Sequence, residues 1–115
     1  LSKLKALRKE FESNLFVPGE AGNGMNVELD KAFRLKDFIT MGELIAYDAL
    51  NRNESCGGHF REEFQTEEGE AKRDDANYFY VACWNYEGDD NAEPSLIKEP
   101  LEYEAIKVQT RNYKS

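Results

Sequence analysis

The chain has little of several things that would point to chemistry at once. It carries one histidine and two cysteines in 115 residues, so a structural zinc site, which wants four ligands, is short of donors. Two cysteines also fall short of a disulfide framework, and Cys56 and Cys83 are expected to be free thiols of a reducing, cytoplasmic compartment. No apolar run approaches the ~18 residues that span a bilayer, and no charged-then-apolar segment opens the chain. Cations are in deficit, with 15 Lys and Arg against 23 Asp and Glu and a net charge of −8. That balance opposes attraction to phosphate backbones and argues against nucleic acid as a partner.

What is present suits a single domain over residues 1–115, burying about 65% of its unfolded surface. The chain opens on Leu1, which begins a helical pattern, so it is expected to be a piece of something longer. Leu4, Leu7, Phe11 and Leu15 recur at threes and fours among charged residues, Arg8 included, and predict an amphipathic helix over about 2–14. Pro18-Gly19 breaks it, and Gly19, Gly22 and Gly24 make a connector; with no preceding strand and no Gly-Lys-Ser/Thr ending, it is no phosphate cradle. Asn26 is a good N-cap, and from there to Asn53 no proline interrupts the apolar stripe through Ala32, Leu35, Ile39, Gly42, Ala46 and Ala49, which Phe33, Phe38, Met41, Leu44, Ile45 and Leu50 widen. A helix over about 26–53 follows, too long for one three-turn partner to cover. Another helix, missing from this fragment, or another copy of the chain is expected beside it.

Residues 65–75 read as a solvated loop without the order of a calcium site. Aromatic and branched residues make a strand of about 78–86, apolar on both faces and expected to be covered on both; Leu101 to Glu104 alternates and the apolar register changes over Ala105 to Val108, which predicts a second strand over about 101–108 with a bulge or bend. The fold class is mainly α with a small β part: a helical bundle around the long helix, followed by a β-hairpin-like extension.

Between helix and strands lies Asn51 to Phe64, where Arg52, Glu54, Ser55, His59, Arg61 and Glu63 crowd around Gly57-Gly58. One glycine would end a helix, so the excess polarity asks for a partner. Cys56-Gly57-Gly58-His59 has a zinc-like gap but no second ligand pair, and as a nucleophile and base the two lack an orienting third group. His59 is better read as a hydrogen-bonded structural residue. The six polar residues are expected to form a docking surface, Arg61 holding a carboxylate or two carbonyls across an interface.

These residues are also familiar as a pattern. Arg52-Asn53-Glu54-Ser55-Cys56-Gly57-Gly58-His59-Phe60-Arg61-Glu62-Glu63-Phe64 resembles the Arg-x-Glu-Ser-Arg-Gly-Ala-His-x-Arg-x-Asp-Phe signature in the C-terminal domain of succinate dehydrogenase and fumarate reductase flavoprotein subunits, a family that includes L-aspartate oxidase. Arg73-Asp74-Asp75-Ala76-Asn77-Tyr78 is similar to its Arg-Asp-Asp-x-Asn-Trp/Tyr block, and Leu101-Glu102-Tyr103 to the Leu-Glu-Tyr element of the respiratory members. Cys56 departs from the usual Arg, Gly58 from Ala, and Glu63 stands in for Asp.

The resemblance implies a helical domain appended to flavin-binding and capping domains of the same polypeptide, in an enzyme interconverting succinate and fumarate. FAD, the dicarboxylate-binding groups and the proton donor belong to those earlier domains. This chain is expected to hold no catalytic, cofactor-binding or metal residue. An iron-sulfur subunit and a membrane anchor are implied partners, at the cytoplasmic face of the inner membrane. The alternatives are the corresponding domain of L-aspartate oxidase and a free-standing acidic helical interaction module. Upstream reading frame with a Gly-x-Gly-x-x-Gly turn separates the flavoprotein from the module.

Overall fold

The longest proline-free apolar-periodic stretch becomes the longest element. The computed structural model describes residues 1–19 and 24–109; position 22 of the expected connector and residues 110–115 lie outside the described residues. In chain order the elements are α1 (Ser2–Asn14), α2 (Val27–Asn51), α3 (Asp75–Tyr78), β1 (Tyr80–Asn85) and β2 (Ser95–Pro100), a mainly α fold with a small β part. Contacts gather into two compact units, Leu1–Asp48 and Ala49–Ser115.

In the first unit Asn26 starts α2, its Oδ1 accepting from the N–H groups of Glu28 and Leu29 at 3.1 Å each. Glu28 and Asp30 put negative charge on the first turn, where the helix dipole favours it. Against α2 lies α1, joined through Ile39, which is 5% exposed, and through Leu4, which faces Gly42. The sequence pattern puts Arg8 on the polar side of α1, yet it is buried. Its guanidinium donates to the Glu43 carboxylate at 2.8–3.1 Å and to Thr40 Oγ1 at 3.1 Å. With a partner on the facing helix a buried cation is tolerable, and the planar fork fixes the register of the two helices.

The cover is partial. At 13 residues α1 is roughly 20 Å long, and α2 at 25 is roughly 37 Å. Phe38 is 67% exposed and Ile45 65%, with Met41 between them also exposed. An open groove of about 300 Å3, lined by Leu7, Phe11, Leu15, Leu35 and Ile39, remains beside the helix contact.

In the second unit β1 and β2 form an antiparallel hairpin from Tyr80↔Pro100 to Asn85↔Ser95. The second strand therefore lies at Ser95–Pro100 and not over 101–108 as the alternation predicts. The reason is upstream: residues 75–78 close a helical turn, so the ladder has no strand to offer beyond Tyr80. Leu101 takes one further bond, its N–H donating to Phe79 O at 3.2 Å, and Tyr103 packs edge-on to Phe79 with ring centroids 5.8 Å apart. Pro100 ends the ladder, where its missing donor costs little. Along β1, Tyr80, Ala82 and Trp84 are half-buried while Val81, Cys83 and Asn85 are exposed, so one face is covered rather than the two expected.

Removing one partner of a buried ion pair strands the other. Arg8→Ala or Glu43→Ala should each lower the unfolding free energy by about 3 kcal/mol. The double substitution should cost less than the sum in a denaturant-melt double-mutant cycle.

Candidate functional site

The polar junction after α2 is built from side chains that terminate a helix. Glycine does not stop it: α2 ends at Asn51, and Gly57 comes later in a separate turn. The orphan carbonyls of the last turn find donors along the chain instead. The Arg61 Nη1 group donates to Leu50 O at 3.4 Å, Arg52 O at 3.3 Å and Asn53 Oδ1 at 2.7 Å. His59 Nε2 lies 2.9 Å from Arg52 O. A ring nitrogen facing a carbonyl must carry the proton, which assigns the Nε2–H tautomer. Arg61 thus has the pair of carbonyls expected of it across an interface, but they belong to its own chain.

The turn between these residues is tight. Cys56 and His59 exchange backbone bonds, Cys56 N to His59 O at 2.8 Å and His59 N to Cys56 O at 3.1 Å, across Gly57-Gly58. Gly57 has φ +58, the left-handed value that a two-residue loop of this kind takes at its first central position, and a Cβ there would be strained. Ser55, fully buried, ties the turn's base: its Oγ accepts from Arg61 N at 2.8 Å and donates to Arg61 O at 3.2 Å.

Glu54 is 2% exposed. One carboxylate oxygen pairs with Arg52 Nη1 at 2.6 Å, and the other accepts from the Asp74 N–H at 2.8 Å. Arg52 in turn donates to Tyr78 O at 3.4 Å and Tyr80 O at 3.5 Å, and its guanidinium carbon lies 5.6 and 5.5 Å from the centroids of those two rings. Asp74 caps α3, accepting from Asn77 N at 3.3 Å and Asn77 Nδ2 at 2.8 Å. The two sequence blocks that carry the resemblance therefore touch through Glu54 and Arg52, and the second of them makes the helical turn that leads into β1. Sequence reading missed α3; its signal was Asp74 three residues before Asn77.

Residues 65–75 are more ordered than a solvated loop. Gln65 and Ala71 form a bridge, and Thr66 and Glu70 close a turn at Gly69, φ +80. Glu63, exposed, receives Arg61 Nε at 2.8 Å. Its own backbone N–H, and after it the Arg61 side chain, hold its carboxyl below the usual glutamate range.

Of the six residues expected at a docking surface, all are gathered at this junction, but Glu54 and Ser55 face inward, Arg52, His59 and Arg61 are half-buried, and Glu63 is exposed. The chemistry available here is that of a clamp. His59 spends Nε2 on a carbonyl, and Cys56 and Cys83 are both exposed free thiols. Among the described residues no three His, Cys, Asp or Glu gather as a metal site.

The family model for the C-terminal region of the fumarate reductase flavoprotein matches residues 1–113. The chain belongs to this family. It is similar to an uncharacterised FAD-dependent oxidoreductase of Methanocaldococcus jannaschii, 37% identical over 60 residues that make up 52% of this chain and 11% of that protein. The match thus spans about a tenth of the relative's length. No solved structure matches.

The family implies FAD, and the described residues do not fit it. A flavin's pyrophosphate asks for a glycine-rich turn leading from a strand into a helix N-terminus. Gly57 and Gly58 instead join the two arms of a bridge, and Asn26 already occupies N–H groups at the start of α2.

Two outcomes follow from the clamp. Glu54→Ala should strand a half-buried Arg52 and the Asp74 N–H, lowering the unfolding free energy by about 3 kcal/mol in a urea melt. Because the Glu63 carboxyl is lowered in the folded chain, its pair with Arg61 stabilises fully above the ordinary glutamate value and is lost as pH falls through the lowered one. Wild type should thus melt above Glu63→Gln near neutral pH, and the difference should close in acid.

Proposed function

We propose that this chain is the non-catalytic C-terminal domain of a flavoprotein subunit that interconverts succinate and fumarate, packed on the flavin-binding and capping domains of the same polypeptide. The observation that carries the reading is the family match over nearly the whole chain. A surface that asks for cover supports it. Among the described residues Ile39 is the one apolar side chain that is buried. The exposed stripe of Phe38, Met41 and Ile45 then meets a neighbouring domain, and the junction around Arg52, Glu54, Ser55, His59, Arg61 and Glu63 is held in shape for docking of its own.

Succinate and fumarate are favoured over aspartate by the Leu-Glu-Tyr element, which the resemblance ties to the respiratory members. Leu101 and Tyr103 both engage Phe79. Among the described residues no helix is long and apolar enough to cross a membrane. In this reading an anchor subunit and an iron-sulfur subunit hold the full-length protein at the cytoplasmic face of the membrane.

The full-length protein should purify yellow and reduce a dye when given succinate, while the fragment should be colourless and inert. Turnover with L-aspartate but not succinate would move the protein to the oxidase branch, and flavin on the fragment would overturn the reading. Phe38→Asp should leave the fragment's melt within about 0.5 kcal/mol, as exposed substitutions do. In the full-length protein it should weaken flavin retention.

A further inference from the structure

We draw no further inference here: the strongest candidate, the exposed apolar face of α2 formed by Phe38, Met41 and Ile45, adds nothing beyond the docking already proposed, because nothing in the structure shows what covers it.

Discussion

A carboxylate taken almost wholly out of water must be paired and hydrogen-bonded, or its desolvation would outweigh what the fold gains. Glu54 meets that demand with one oxygen on Arg52 and the other on the Asp74 backbone. The end of α2, the start of α3 and, through Arg52, the carbonyls at the head of β1 are joined in this way. One acid and one guanidinium thus hold the end of α2 to segments 20 to 28 residues further along the chain. Tyr78 and Tyr80 both lie against that guanidinium, so the contact is as much packing as charge. An arginine suits this place and a lysine would not: the planar group stacks and forks together, which a single ammonium cannot do.

Local signals carried well where the physics is local. The N-cap at Asn26, the helical spacing, the absence of proline and the aromatic run of β1 each act within a few residues, and each predicted element is found there. Failures came where a distant partner decides. Arg8 sits among charged residues on α1, and only the lone Glu43 in the otherwise uncharged stretch between Asp37 and Asp48 hinted that a cation would be needed opposite. The second strand was displaced because alternation at 101–104 is a fair strand signal that needs a partner, and α3 had already used the residues that would have faced it. Of the junction, the gathering of six polar residues was legible. Their direction was not, since whether Arg61 reaches outward or back to Leu50 O depends on where the turn at Gly57 sends the chain.

The distribution of burial explains why so small a chain is rich in side-chain bonds. Hydrophobic burial normally dominates folding, yet among the described residues it is thin and the buried ones are chiefly polar: Arg8, Glu54 and Ser55 beside Ile39. Specific polar contacts then set geometry, while much of the apolar surface stays available. That division is suited to a domain whose core is completed by a neighbour. In the proposed packing, directional bonds that fix the shape in advance would lower the ordering cost of docking.

Position 56 separates the two roles of the junction. Cys56 is bonded through its backbone, in its bridge to His59, and its side chain is exposed. A thiol there neither supports nor strains the turn, whose left-handed residue is the next one, Gly57. The arginine of the resembling signature would leave the same turn with the same backbone bonds and five additional donors. In the proposed full-length protein the change falls on whatever faces the turn, which must do without a cation. The residues that hold the junction together, Arg52, Glu54, Ser55, His59 and Arg61, all match the signature, and the departure occurs where the side chain is not used internally. In the proposed packing, constraint by the fold and constraint by the neighbour would thus fall on different atoms of one short loop.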